Sequence, residues 1–263
     1  MELEFREYKY KEKKLSFIVK EKEINGITGN HLEELINLIQ LKIEDISNIL
    51  VNNKEIKEKN YQEVKRKISY IPQEIEENNH TLTIEEDMIE YIKQREVYPK
   101  NLKKKLKDSL KIVGLRDSLL KRNIYSLSTS EKKLVQIAKE LLLNPELIIL
   151  EEPLRVLDMK NRKKIMMVLK RIKDQYNKAI AIVSEDPEVL LKETEHLIVF
   201  KNDRVIINEK TLDAYQRVDY LKKHKVDIPD IIEITYLAKK KKNVKIDYFR
   251  DVRDIIKDIY KHV

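Results

Sequence analysis

The chain has 263 residues, of which 41% are hydrophobic and 38% charged. This length can bury a sizeable core, either in one large α/β domain with an appendage or in two small domains, and we expect one main domain. Because there is no run of 18 apolar residues, no signal-like start and no cysteine, we expect a cytoplasmic chain that neither spans a membrane nor contains disulfides or thiolate metal sites.

The formal net charge of +8 is compatible with a nucleic acid or an anionic membrane surface as partner. Basic and acidic residues nevertheless alternate along most of the chain. The dense runs "KNLKKKLK" (100–107) and "KKKK" (239–242) lie on helix-like segments. Solvated helix faces, a protein partner and nucleic acid all remain open as explanations. The five histidines show no metal-ligand spacing.

The first predicted elements are two strands within residues 1–25, "LEFREYKY" and "LSFIVK", whose apolar residues alternate or cluster. After "INGITG", the spacing of Leu32, Leu35, Ile36 and Ile39 predicts a helix with one buried face. "KISYIPQ" (67–73) predicts a strand that ends at Pro72. Residues 84–143 are predicted to be almost wholly helical, with breaks at Pro99, at Gly114 and in "SLSTS".

The second half predicts a strand, a helix and a strand in succession. "ELIILEEP" is a short apolar run between prolines, typical of a buried parallel strand, and it precedes a helix near 159–176 and the strand "AIAIVS" at 179–184. This order implies a right-handed parallel crossover. A hairpin is predicted around Asn202-Asp203, and residues 211–263 are predicted to be helical with an interruption near Pro229.

The strand "ELIILEEP" ends in two carboxylates, Glu151 and Glu152. At the carboxyl edge of a parallel sheet such residues face the crevice where ligands bind. In phosphoryl-transfer sites one carboxylate holds Mg²⁺ and a second orients the attacking water. Taken alone, the motif is weak evidence for such a site and is better explained as a polar strand end before a turn.

Several motifs in the correct order resemble those of the ATP-binding cassette (ABC) ATPases. "LSTSEKKLVQIAKELLLNPELIILEEPLRVLD" is similar to the signature, Walker B and D-loop region, and "ISYIPQ" resembles the strand that ends in the Q-loop glutamine. The resemblance implies a P-loop NTPase-like cassette over 1–215, with a RecA-like mixed sheet and a helical subdomain at about 84–143. Residues 216–263 would form a C-terminal helical dimerisation appendage.

That C-terminal segment is similar to the tail of the ATPase subunits of energy-coupling factor transporters, which import vitamins and metal ions. The resemblance implies two partners, a second ABC ATPase subunit in a homo- or heterodimer and a transmembrane coupling subunit. It also implies a location at the inner face of the cell membrane. Nucleic acid is not an expected partner of this family.

The same resemblance implies roles for individual residues. Glu152 stands at the catalytic-base position, Glu151 at the Mg²⁺-linked position and Gln73 at the Q-loop position. Mg²⁺ would accordingly contact Glu151 and Gln73. The positions implied to contact ATP are Gly29, Ser128, Asp158 and, for adenine stacking, Tyr10 or alternatively Tyr8.

The phosphate-binding chemistry of the family is missing from this sequence. "GITGNHLEELINLI" stands where the phosphate loop belongs, about three loop residues shorter and without Gly-Lys-Ser/Thr. Glu33 and Glu34 add negative charge there, Glu185 replaces the switch histidine, and Thr129-Ser130 replace the signature glycines. These departures predict weak or absent ATP hydrolysis.

Three hypotheses follow. The favoured one is a cassette subunit with a degenerate ATP site that serves as the structural or regulatory half of a cassette dimer. The alternative is an active ATPase subunit whose rebuilt phosphate site powers import, with a lysine from outside the loop. The third is a free-standing, nucleic-acid-associated cassette protein, whose binding would weaken steeply with salt.

Overall fold

The computed structural model describes residues 1–74, 83–242 and 246–262. The described strands are β1 (Leu3–Tyr10), β2 (Lys13–Val19), β3 (Ile24–Gly29), β4 (Ile49–Val51), β5 (Lys54–Glu55), β6 (Ile68–Ile71), β7 (Leu147–Glu151), β8 (Ala179–Val183), β9 (His196–Lys201) and β10 (Arg204–Lys210). The described α-helices are α1 (Leu32–Ile39), α2 (Glu58–Arg66), α3 (Ile84–Gln94), α4 (Leu102–Ile112), α5 (Thr129–Leu142), α6 (Met159–Tyr176), α7 (Pro187–Glu193), α8 (Thr211–Gln216), α9 (Val218–Lys223), α10 (Asp230–Lys242) and α11 (Val252–His262).

The chain divides into two compact units. The first unit comprises Met1 and Lys57–Ile180, and the second comprises Glu2–Ile56 and Ala181–Val263. The boundary falls inside β8, and the second unit is built from two segments that are distant in sequence. Within the described residues, no helix has both the length and the apolar character needed to cross a membrane.

The second unit contains an antiparallel sheet in the order β2-β1-β4-β5. Alternate residues of β1 face its core, where the rings of Phe5 and Phe17 stack at 4.5 Å. The register shifts between Phe5 and Tyr8, and Glu7 there has φ 48°, as expected for a bulge. Both strands predicted within residues 1–25 are therefore confirmed.

A second group of strands in this unit carries the phosphate-loop position. Strands β3 and β9 pair in parallel, with Gly29 opposite Phe200, while β9 and β10 form an antiparallel hairpin. Its turn residues Asn202 and Asp203 both have positive φ, which matches a two-residue hairpin turn and confirms that prediction. The strand β3 leads directly into α1, whose buried Leu35, Ile36, Leu38 and Ile39 confirm the predicted apolar face.

The C-terminal helices share a core with the rest of the second unit. Val218, Leu221 and Ile232 belong to one buried cluster that also contains Leu197 and Val199 of β9. The predicted interruption near Pro229 is present between α9 and α10, and a further non-helical stretch precedes α11.

The first unit contains the predicted helical region as α3, α4 and α5, with short 3-10 helices at Asp117–Lys121 and Ile124–Ser126. Capping boxes start α3 at Thr83 and α5 at Ser128, which explains where both helices begin. The strands β6 and β7 pair in parallel. Because Leu147 to Leu150 are all buried, β7 is the fully covered strand that its apolar run predicts.

Candidate functional site

Only two residues, Asn30 and His31, connect β3 to α1. At the strand end Gly29 has φ 138°, and an added Cβ would lie 1.8 Å from the Phe200 carbonyl oxygen. That oxygen accepts a hydrogen bond from the Asn30 N–H at 2.9 Å. The Asn30 side-chain oxygen accepts another from the Asn202 N–H at 3.1 Å. The connection is therefore bonded directly to the end of β9 and to the β9–β10 turn.

The first turn of α1 contains the carboxylates Glu33 and Glu34. The Tyr10 hydroxyl donates a hydrogen bond to Glu34, and Lys11 Nζ lies 2.9 Å from the same carboxylate. Lys11 also contacts Asp203 at 3.0 Å. These four side chains, Tyr10, Lys11, Glu34 and Asp203, are called the Glu34 network below. A carboxylate at a helix N-terminus is favoured by the positive end of the helix dipole.

The pKa shifts in the Glu34 network agree with these contacts. The hydrogen bond from Tyr10, followed by the charge and hydrogen bond of Lys11, lowers the pKa of Glu34. Hydrogen bonds to Glu34 and then to Asp203 raise the pKa of Lys11. Partial burial, followed by the bond to Glu34, raises the pKa of Tyr10. At neutral pH the lysine and both carboxylates therefore stay charged.

The two tyrosines considered for adenine stacking lie in different surroundings. Tyr8 is buried, its ring contacts Phe5 edge-on, and its hydroxyl donates to the Asp45 carbonyl at 3.1 Å. Tyr10 is half-buried, and its hydroxyl is bonded to Glu34. The ring of Tyr10 is therefore the more accessible of the two, and its hydroxyl is part of the Glu34 network.

His31, Glu34 and Asp203 also lie close together, with one potential ligand atom of each within 4.8 Å of the others. Spacing along the sequence does not indicate this group, because the β9–β10 hairpin brings Asp203 beside α1. Lys11 already contacts both carboxylates, so a lysine ammonium supplies the positive charge there.

In the first unit, Glu151 is the last residue of β7. Its carboxylate accepts a hydrogen bond from the Tyr70 hydroxyl at 2.6 Å and a longer one from the Gln73 N–H at 3.3 Å. The end of β7 and the Q-loop position after β6 are thus brought together by the parallel pairing of these strands, and the family resemblance implies the same proximity.

Two cations hold the segment around Gln73. Arg155 Nη1 donates to the Gln73 side-chain oxygen at 3.2 Å. Lys133 Nζ, from α5, donates to the main-chain oxygens of Gln73 at 3.2 Å and of Pro72 at 3.4 Å. Burial lowers the pKa of Lys133, and the negative charge of Glu151 opposes that shift.

A pocket of about 350 Å³ lies beside this segment. It is lined by Gln73, Glu74, Thr129, Lys132, Lys133, Glu152, Arg155, Val156 and Leu157. Among the residues that the structure describes, three cations and two carboxylates therefore surround it. Glu152 has φ 41° and Val156 has φ 56°, a conformation that costs free energy for residues other than glycine.

Two of the remaining predicted site residues, Ser128 and Asp158, cap the N-termini of helices. Ser128 Oγ accepts from the Glu131 N–H and donates to the Glu131 carboxylate at 2.8 Å. Asp158 accepts from the Asn161 N–H at 2.8 Å and so caps α6. Glu185, at the switch-histidine position, is exposed in the segment between β8 and α7.

The sequence model of the ABC transporter family matches residues 13–155, just over half of the chain. The protein belongs to the ABC transporter family. A protein of Pyrococcus furiosus, whose assigned name places it among ABC transporter ATP-binding proteins, is 30% identical over 84% of this chain and 82% of its own. The energy-coupling factor transporter ATP-binding protein EcfA2 of Clostridium acetobutylicum is 26% identical over 86% of this chain and 80% of its own.

Solved structures agree on the cassette fold. The structure of CbiO1 from Clostridium perfringens, described as part of the ABC transporter complex CbiONQ, has a TM-score of 0.71 at 22% identity and covers 89% of this chain and 98% of its own. A dimeric bacterial ABC transporter cassette has a TM-score of 0.62 at 23% identity, covering 80% of this chain and 98% of its own.

Cassettes of this family use ATP and Mg²⁺, and the β3–α1 connection does not fit a triphosphate. Phosphate binding needs a run of free backbone N–H groups and a cation at the helix N-terminus. Here the Asn30 N–H is already bonded to Phe200, and the first turn of α1 carries Glu33 and Glu34. The connection and the first turn of α1 therefore provide no lysine, serine or threonine for a phosphate, and their two carboxylates would repel one.

The Mg²⁺ position fits its ion poorly as well. The Gln73 side-chain oxygen accepts from Arg155, and Glu151 accepts from Tyr70. A cation bound between Gln73 and Glu151 would have to displace the guanidinium or compete with it. The carboxylate of Glu151 retains the chemistry for Mg²⁺, but its neighbours satisfy it without an ion.

The sequence did not identify four residues that determine this cassette's site: Lys11, Tyr70, Lys133 and Arg155. Lys11 directly follows β1 and Tyr70 is the residue before the last of β6, so each position was known to be near a predicted strand end. No spacing rule, however, connects Lys11 to Glu34, since their contact depends on how distant strands pair.

Proposed function

We propose that this cassette is a subunit of an energy-coupling factor-type importer and that its own ATP site is degenerate. It would be the structural or regulatory half of a dimer whose other cassette carries an intact phosphate loop. Its location would be cytoplasmic, at the inner face of the membrane. The relatives named for energy-coupling factor transporters support this assignment.

The Glu34 network is the observation that carries the proposal. Glu34 stands in the first turn of the helix that would receive phosphates, and Tyr10 and Lys11 already bind it. Each charge-assisted hydrogen bond to phosphate contributes about 1.5–3 kcal/mol. Losing the loop lysine, the hydroxyl and several amides therefore removes most of the roughly 8 kcal/mol of a micromolar complex.

Two further assignments belong to the proposal. Residues 1–215 would form the cassette, and residues 216–263 a dimerising appendage. Gln73 would lie at the dock for a transmembrane coupling subunit, and Ser128 would face the nucleotide of the second cassette.

Titration calorimetry of the purified chain with Mg-ATP up to millimolar concentration tests the degenerate site. We expect no saturable heat. Saturable binding would show that other donors replace the phosphate loop, and it would end the proposal in this form.

Cross-linking tests the second cassette. Because the chain contains no cysteine, Thr129→Cys provides a single thiol at an exposed signature position, and Ser118→Cys provides one at an exposed position elsewhere in the first unit. With a thiol-anchored photo-cross-linker in cells, Thr129→Cys should capture a cassette next to its own Gly-Lys-Ser/Thr loop. Capture by both variants alike, or of no cassette at all, would contradict the pairing.

One observation favours the alternative of an active ATPase with a rebuilt phosphate site. Lys132, Lys133 and Arg155 line the 350 Å³ pocket together with Glu152, so cations from outside the loop lie beside the catalytic-base position. Steady ATP hydrolysis that Glu152→Gln abolishes would support this alternative. Turnover at the level of buffer would exclude it.

A further inference from the structure

The positive charge of this protein is concentrated in one segment of the first unit. Residues 93–122 contain eleven Lys and Arg and three Asp and Glu, which accounts for the whole net charge of +8 and leaves the other residues balanced at 43 of each sign. All eleven cations are exposed. They are called the basic patch below. Of the eleven, Lys107 forms an ion pair, with Asp117 at 3.4 Å.

The centre of the basic patch is one face of α4. Lys103, Lys104, Lys107 and Lys111 lie within about 100° of arc around the helix axis, beside the buried arc that includes Leu106 and Leu110. Next to the end of α4, Arg171 Nη1 of α6 donates to the Ile112 carbonyl at 3.2 Å. The cationic surface therefore continues from α4 onto α6.

This arrangement does not stabilise the helix that carries it. Lys103 lies in the first turn of α4, which contains no acidic residue, although the N-terminus of a helix favours negative charge. Lys103, Lys107 and Lys111 follow one another at intervals of four, and such like-charge pairs destabilise a helix. By contrast, α3 has three acids in its first turn and a capping box. Lys111 lies in the last turn, where a cation is favourable, but the charges of the other lysines on this face are not arranged to stabilise their own helix.

We propose that the basic patch binds an anionic phospholipid surface. Clusters of four to eight Lys and Arg are attracted to such surfaces, within about a Debye length of 10 Å. Eight of the eleven cations are lysines, which act as point charges in a diffuse field, whereas base and phosphate recognition in nucleic acids favours arginine. Tyr98, 77% exposed within the same segment, has the amphipathic ring that suits a headgroup layer.

This inference goes beyond the proposed cassette pairing, because it requires neither ATP nor a second subunit. It assigns the helical subdomain a direct contact with the bilayer. Such a contact would hold the cassette near its membrane subunit by electrostatics alone.

Vesicle co-sedimentation of the full chain provides the test. Vesicles with about 30% phosphatidylglycerol in phosphatidylcholine should bind the chain at about 50 mM salt and release it at about 500 mM, and pure phosphatidylcholine should not bind it. The variant K103Q/K104Q/K107Q/K111Q should bind at least about a hundredfold more weakly, since each lysine changes binding about fivefold. Glutamine preserves helix propensity, and circular dichroism verifies that both variants are folded.

The matched control is K9Q/K54Q/K59Q/K223Q, which removes the same charge from four other exposed lysines. It should bind anionic vesicles within about threefold of the parent chain. An equal loss of vesicle binding in both variants would show that binding depends only on the net charge of the chain, and it would overturn the proposal. Patch-dependent binding of a DNA duplex that is tighter than binding to the anionic vesicles would also overturn it, in favour of a nucleic acid.

Discussion

Gly29 ends β3 in a conformation that only glycine adopts easily, and replacing it with alanine should strongly destabilise the second unit. An alanine Cβ would lie 1.8 Å from the Phe200 carbonyl oxygen, so the two must separate by about 1.2 Å to reach the 3.0 Å that real Cβ contacts respect. The φ of 138° adds about 1–3 kcal/mol of backbone strain. Weakening the hydrogen bond from Asn30 to Phe200 adds about 1 kcal/mol.

The backbone strain and the weakened hydrogen bond together predict a loss of about 2–4 kcal/mol for Gly29→Ala, to which the close contact adds, and this is a large part of the 5–15 kcal/mol typical of a folded protein. The matched control is Gly114→Ala. Gly114 also has positive φ, 74°, but none of the described parts of the chain comes within 4 Å of its added Cβ, so only about 1–2 kcal/mol of left-handed strain is expected.

Urea unfolding followed by circular dichroism measures both free energies. If the two units unfold in separate steps, the loss from Gly29→Ala should fall in the step of the unit that contains β3. Equal losses for the two variants would refute the reasoning. In that case the close contact with Phe200 would not be the reason why glycine occupies position 29. Contact with a ligand would then have to explain it.

Three more outcomes are expected. Ser128→Ala removes the cap of α5 and should lower the free energy of unfolding by about 0.5–2 kcal/mol in urea titrations, whereas Ser128→Asp should retain most of it. Burial raises the pKa of Glu140 above its ordinary 4.5, so the folded state keeps that proton to a higher pH and stability should fall as pH rises through the interval above 4.5. In Glu140→Gln this slope should flatten in melts from acid to neutral pH, and an unchanged slope would contradict a neutral buried carboxyl. The double variant E33Q/E34Q should still give no saturable Mg-ATP heat, because removing the repulsion restores neither the missing lysine nor the missing loop amides; saturable heat would show that charge alone blocks the site.

Much of the fold could be predicted because its elements have strong periodicity or clear boundaries. The apolar run of β7 between prolines and the 18-residue helix α6 lie where the sequence predicts them. The region between α1 and β6 had no prediction. Its strands β4 and β5 have three and two residues, which is too short to show an alternating apolar pattern. The helix α2 buries only Val64, so its sequence shows no extended apolar face.

Contacts within the candidate site could be predicted only where they join neighbours in sequence or residues on adjacent strands. Asp158 and Ser128 act as local caps, and Gln73 meets Glu151 because β6 and β7 are parallel neighbours. The Glu34 network depends instead on two elements that are not adjacent to Glu34 in sequence. One is the β9–β10 hairpin, about 170 residues after Glu34, and the other is the end of β1. Local patterns carry no information about that convergence, so the sequence shows the loss of the phosphate loop without showing what replaced it.

The two-residue connection between β3 and α1 also has an evolutionary consequence. A point mutation can replace a side chain, but it cannot lengthen this connection. Half of the connection is Asn30, whose main-chain N–H donates to the Phe200 carbonyl oxygen and whose side-chain oxygen accepts from the Asn202 N–H. Under the proposed degenerate site, a return to nucleotide binding would need an in-frame insertion together with the loss of those bonds. Intermediates would be less stable and would still lack activity, so a lineage that has adopted this connection has little chance of reversing the change.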